Sequence, residues 1–190
     1  MALLESVPAE PDDGRLRELF AADAETYGRP PLFARMLAHD PDVLAARQAY
    51  VAALGRAGDL DELEVELAYV AVSAANECPY CVASHRERLV EHVGVPDEQV
   101  DAVLAGDDAP FSERERAIID VARMAADDPK RVDDGHLERL RDCGFDDAGV
   151  VALVVAVGAA VSANVIADCL NVHPEDREGL DGNGVEPGGE

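Results

Sequence analysis

Between Val150 and Ala163 the chain carries no charged residue, and its Val, Leu and Ala are interrupted only by Gly158 and Ser162. An apolar run of about 14 residues is shorter than the roughly 20 that a bilayer-spanning helix requires. It therefore predicts the core helix of a globular domain. Aromatic residues make up 4% of the sequence and Trp is absent, so aliphatic side chains and Ala must build that core. Ala-rich, Leu- and Val-containing segments with few Gly or Pro interruptions favour helix. No turn dipeptide joins two alternating apolar runs as a hairpin would, since Asn183-Gly184 lies in a polar tail. The fold class expected is all-α. With 190 residues the chain fits one domain with loose ends, long enough to bury a substantial core.

Punctuation along the chain divides it into helices. Residues 1–13 are rich in Pro and acid and read as a flexible arm, and 14–173 read as the helical domain. Helices are expected from Gly14 to about Ala24, around Leu32–Ala38, and from Pro41 to Leu54. Asp59, with Glu62 three residues on, has the pattern of a capping box. It would open a helix reaching about Asn76, and the stretch 59–93 holds the motif discussed below. Pro79 suits a first helical turn and would start a helix that Gly94 stops. A short helix follows Pro96 and ends near Gly106. Ser112 and Glu115 form a second capping-box pattern, for a helix through Met124. Helices around Asp134–Asp142 and from about Asp146 to Leu170 complete the set. Residues 174–190 are rich in Gly and acid and read as a disordered tail.

The charge balance excludes some functions. Forty acidic and 16 basic side chains give a net charge of −24, and Lys130 is the sole lysine. Such a surface repels phosphate backbones and anionic lipid, which argues against nucleic-acid and membrane partners. An acidic, lysine-poor surface also suits molar salt, where screening removes self-repulsion, so a halophilic setting is expected. The opening residues MALLESVPAEPDD lack the basic region and long apolar run of a signal peptide. A cytoplasmic location is expected, and there paired cysteines are more often redox or metal sites than structural staples.

One segment carries chemistry: Cys78-Pro79-Tyr80-Cys81, with His85 four residues later. Two cysteines separated by two residues at a helix start can close a small disulfide ring. The helix N-terminus offers unpaired N–H groups and partial positive charge, both of which favour a thiolate. The spacing from Cys81 to His85 puts both on one helical face, one turn apart. An imidazole there can take the thiol proton or give one to a leaving oxygen. Glu66 lies on the preceding helix, and spacing alone does not bring it to the histidine. A zinc site requires four ligands. Cys78, Cys81 and His85 would supply three, with no second paired motif, so no metal and no organic cofactor is expected. Cys143 and Cys169 belong to no motif and read as buried thiols. Asn164 and Asp168 read as residues that bind across helices in a structural role, and Tyr80 as a packing residue.

Glu66, the Cys78–Cys81 pair and His85, together with the apolar Ser/Ala/Asn-containing helix between Glu66 and Cys78, resemble the alkyl hydroperoxidase D-like, or carboxymuconolactone decarboxylase-like, superfamily. Phe111–Ala117 and Ser162–Asp168 extend the resemblance, which covers residues from about 30 to about 172. It implies an all-helical bundle that assembles into homo-oligomers. It implies further that Cys81, the cysteine nearer the histidine, attacks a small peroxide and becomes a sulfenic acid. Cys78 then condenses with it to a disulfide, and a dithiol reductant restores the pair. His85 and Glu66 would form the proton relay. The sequence departs from the best-known peroxidase of the family at Tyr80, where that protein has a second histidine. The function expected is thiol-dependent peroxide reduction. The alternatives are a non-catalytic redox sensor or dithiol-exchange protein, and a zinc-stabilised helical domain.

Overall fold

The computed structural model describes residues 2–58 and 60–174. Among these the chain forms α-helices joined by short turns, with no strand. Contacts group the described residues into two compact units, one comprising residues 2–47 and 169–174, the other the described residues of Gln48–Asp168.

In the first unit, α1 (Gly14–Tyr27) starts where the Asp13 carboxylate accepts a hydrogen bond from the Leu16 N–H at 3.0 Å. That bond satisfies one of the amides a helix start leaves open. Leu16 and Phe20 of α1 pack with Ala34 of α2 (Leu32–Leu37), with Ala38, and with Leu44 in the first turns of α3 (Pro41–Leu54). Within residues 1–13, expected as a flexible arm, Leu3–Val7 make specific contacts. The buried Arg35 donates from Nε to the Val7 carbonyl at 2.6 Å and from Nη2 to Ser6 Oγ at 2.8 Å. The Leu3 N–H reaches the Leu170 carbonyl at 2.9 Å.

The second unit is built around α4 (Glu62–Ala75). Every residue from Leu67 to Ser73 is buried, so this helix is enclosed on all sides. A helix apolar around its circumference must be surrounded in this way. It packs most extensively against α7 (Glu113–Asp127), and also against α5 (Pro79–Glu87), the π-helical turn Arg88–Val93 that continues α5, and α6 (Asp97–Leu104). Glu64, itself buried, grips Arg114 of α7 at 2.5 Å and 3.3 Å, and the guanidinium lies 3.9 Å over the Phe145 ring. The capping box of α4 is formed by Asp61 and Glu64, two residues later than the expected Asp59–Glu62 pair: Glu64 N–H donates to Asp61 at 2.8 Å, and the Glu64 carboxylate accepts from the Asp61 N–H at 3.2 Å. Asp59 lies outside the described residues. The Ser112–Glu115 box of α7 forms as expected.

A short helix, α8 (Asp134–Asp142), leads to α9 (Asp147–Cys169). The expected 14-residue apolar stretch sits inside a single helix of 23 residues, which by length and composition is sufficient to cross a membrane. It nevertheless buries Val150, Leu153, Ala156, Val157 and Ala160 in the same core as α4 and α7. Gly58 lets the chain pass close to this helix. A Cβ there would lie 2.6 Å from Ala152 Cβ and 2.8 Å from Gly149 Cα, and its φ of +68° is one that L side chains rarely adopt. The expected tail after Pro174 lies outside the described residues.

Candidate active site

The link between α4 and α5 places the two cysteines. Asn76 ends α4, Glu77 turns the backbone with a left-handed φ of 54°, and Cys78 caps α5 with Pro79 in its first turn. The Cys78 N–H donates to the Ser73 carbonyl at 3.0 Å, which ties the turn to the last turn of α4. Both cysteines are buried, at 0% and 4% exposure, and both are free thiols, so the pair is shielded from bulk water in its reduced form.

Their environments differ. The Cys78 thiol donates to the Cys81 sulfur, which draws the Cys81 thiol down from 9.0 to about 7; burial opposes the shift, a hydrogen bond from Asn164 and the nearby His85 favour it, and Asp168 opposes it. Cys78 moves up, first because it is the donor in that bond and second because it is buried. The two thiols are thus shifted in opposite directions, Cys81 toward the thiolate and Cys78 toward the thiol.

His85 sits one turn along α5 from Cys81. Its Nδ1 lies 2.8 Å from Glu66 Oε2, and its ring leans on Tyr69 at a centroid distance of 5.0 Å. The packing of α4 against α5 therefore brings Glu66 to the histidine. A carboxylate at this distance fixes the ring and accepts the Nδ1 proton, leaving Nε2 to exchange one. Arg88 stands behind Glu66, with Nε 3.8 Å from Oε1, and pairs with Glu62 at 2.5 Å.

All four residues singled out in the sequence, Glu66, Cys78, Cys81 and His85, thus gather at the meeting of α4 and α5. Asn164, expected to bind across helices in a structural role, is buried at 2% exposure and does bind across helices. Its Oδ1 accepts from Asn76 Nδ2 at 2.9 Å and its Nδ2 donates to Ser73 Oγ at 3.1 Å, which braces the end of α4 beside the cysteine turn. Tyr80 is buried, in line with packing. Among the described residues no group of three His, Cys, Asp or Glu side chains is arranged to hold a metal ion.

The sequence profile of the carboxymuconolactone decarboxylase family matches residues 41–124, which contain Glu66, both cysteines and His85. A peroxidase-related protein from Ralstonia eutropha JMP134, described as an alkylhydroperoxidase AhpD core, superposes with a TM-score of 0.75 at 27% identity, covering 92% of this chain and 95% of that one. Over residues 41–124 the chain is thus similar to the carboxymuconolactone decarboxylase family, and in fold it is similar to the alkylhydroperoxidase AhpD core. The same fold recurs in a peroxidase-related protein from Silicibacter sp. TM1040, with a TM-score of 0.79 at 23% identity over 90% of each chain. It recurs again in the debrominase Bmp8 in complex with 2,3,4-tribromopyrrole, with a TM-score of 0.75 at 17% identity over 95% of this chain and 98% of that one. No curated protein matches the chain. The fold is thus shared by a debrominase and by proteins described as peroxidase-related.

Proposed function

We propose that the protein is a thiol-dependent peroxidase that reduces small hydroperoxides at Cys81 and is recycled by a dithiol reductant. The observation that carries this reading is the gathering of two buried free thiols at the start of α5 with His85 one turn beyond Cys81 and its Nδ1 2.8 Å from Glu66 Oε2. A peroxidase needs such a set, because one sulfur must attack, a second must resolve the product, and a proton must reach the leaving oxygen.

The Cys81 thiolate attacks one peroxide oxygen. The S–O bond forms as the O–O bond breaks, Cys81 is oxidised to sulfenic acid, and the departing alkoxide takes a proton from His85 to leave as alcohol. Glu66 steadies the imidazolium formed in the preceding proton transfer. The Cys78 sulfur then attacks the Cys81 sulfur and displaces hydroxide. The Cys78 proton joins that hydroxide, so water and the Cys78–Cys81 disulfide are the products. A dithiol reductant returns two electrons and two protons by exchange and becomes a disulfide itself. No organic cofactor enters this scheme. The acidic surface fits a protein working in high salt, and assembly into homo-oligomers fits the superfamily resemblance.

The test is consumption of tert-butyl hydroperoxide by pre-reduced protein in high salt with excess dithiol, beside Cys81→Ser and Cys78→Ser. Turnover that vanishes in Cys81→Ser, with a single oxidation and no recycling in Cys78→Ser, supports the reading. Undiminished turnover in Cys81→Ser would sink it. Oxidation of the wild type once, without turnover, would leave a redox sensor in its place.

A further inference from the structure

The Glu66 carboxylate has two oxygens, and the histidine takes one. Oε2 faces His85 Nδ1 at 2.8 Å, while Oε1 faces Arg88 Nε at 3.8 Å, an ion-pair contact longer than a hydrogen bond. The Arg88 guanidinium is itself anchored, since its Nη2 donates to Glu62 Oε1 at 2.5 Å. Arg88 lies seven positions after Cys81 and outside the cysteine motif.

Helical spacing makes this arrangement. The Arg88 N–H donates to the Ser84 carbonyl, so His85 and Arg88, three apart, still share one face of α5 where the π-helical turn begins. Glu62 and Glu66, four apart, share one face of α4. The two faces meet in reverse order, Glu62 against Arg88 and Glu66 against His85. The side chains of Glu66, Arg88 and His85 are 12%, 18% and 22% exposed, so solvent screens their charges little. Charged groups on the neighbouring elements are matched among themselves. Arg86 of α5 pairs with Asp97 and Asp101 of α6, and on α7 Arg114 pairs with Glu64, Arg123 with Asp108, and Asp120 with Arg139 of α8. The ring itself is faced by Tyr69 from α4 and lies one turn from Cys81 on α5.

The consequence follows from charge. With one proton between them Glu66 and His85 are together neutral, and without it the pair carries −1. The two titrate as a unit, and a cation beside them favours the deprotonated state. A carboxylate alone would make the imidazole hold its proton more tightly; the guanidinium offsets that grip. We propose that Arg88 is a positioning residue of the relay: by drawing Oε1 toward itself it aims Oε2 at His85, and by its charge it leaves the imidazole free to take a proton near neutral pH. The inference rests on the reading that His85 exchanges a proton during the reaction.

The test is an NMR titration of the histidine rings in the reduced full-length chain without peroxide, with the His85 signal identified as the one missing from His85→Gln. Arg88→Met keeps the length and apolar stem but removes the charge. It should move the His85 midpoint up by at least about 0.5 pH unit, a roughly threefold change in the ratio of protonated to neutral ring at a fixed pH. Arg88→Lys restores the charge and should reverse at least half of that shift, which general loosening of the helix pair would not do. The same pair of shifts is expected in a Cys81→Ser background, where no thiolate acts on the ring. If Arg88→Met does not fold, Arg88→Gln takes its place with the same direction expected. A midpoint that stays or falls in the folded uncharged variant, or an equal rise in Arg88→Lys, overturns the inference. Because no peroxide is present, the expected shifts beside a wild type without turnover would refute the peroxidase reading alone. Turnover beside an unmoved midpoint would refute this inference alone.

Discussion

Glu66 Oε2 and His85 Nδ1 meet at 2.8 Å although they lie nineteen positions apart on successive helices. The contact couples a carboxylate of the buried helix α4 to the imidazole one turn beyond Cys81, with the His85 ring braced by Tyr69 at 5.0 Å. Glu66→Gln keeps the volume but removes the charge that steadies a protonated ring. It is expected to lower kcat/KM for tert-butyl hydroperoxide by about 10- to 100-fold, within the span of general acid–base effects. His85→Gln should cost at least as much. A Glu66→Gln variant as active as the wild type would remove Glu66 from the relay.

The lowered Cys81 thiol sets a pH profile. Below about 7 this residue is a thiol and above it a thiolate, so its alkylation rate should rise with pH through a midpoint near 7 and then level off. Cys78 should stay unlabelled across that range, since its own titration is displaced upward. Cys78→Ala removes the largest cause of the Cys81 shift and should carry the midpoint upward, toward the ordinary thiol range. A midpoint unchanged by Cys78→Ala would mean that the thiol–thiol hydrogen bond is not what activates Cys81.

Gly58 has no room for a methyl group. Its Cβ would overlap Ala152 and Gly149 of α9, and its φ of +68° disfavours any L side chain. Gly58→Ala combines overpacking with backbone strain and is expected to destabilise by about 2–4 kcal/mol. Chemical denaturation reads this directly. By contrast Gly28, also at positive φ, faces open space, so Gly28→Ala should cost only the backbone term of about 1 kcal/mol. Equal losses at the two positions would contradict the close approach of Gly58 to α9.

A net charge of −24 on 190 residues repels itself. Salt shortens the Debye length from about 10 Å at 0.1 M to about 3 Å at 1 M, so added NaCl should stabilise the chain. A gain of about 2 kcal/mol would raise Tm by roughly 4–8 °C at this size. A Tm that stays flat or falls between 0.1 M and 2 M NaCl would show that repulsion is not a governing term.

Local rules made the helical class, most of the helix breaks, the cysteine pair at a helix start and the Cys81–His85 spacing legible, because propensity, capping and the one-turn neighbour relation act within a few residues. The cap of α4 forms at Asp61–Glu64 and not at the expected Asp59–Glu62, and there Glu64 is also bound by Arg114 of α7, 50 positions away, which local rules do not register. The Glu66–His85 contact needed the packing of α4 on α5. The part taken by Asn164 needed α9 to lie beside the α4–α5 turn. The partners of Asn164, Asn76 and Ser73, stand 88 and 91 positions away, so spacing could not name them. The sequence by itself determined which side chains could do thiol chemistry. Tertiary structure alone decided that Glu66 meets His85 and that both thiols are buried, because those depend on the packing of helices that local spacing does not fix.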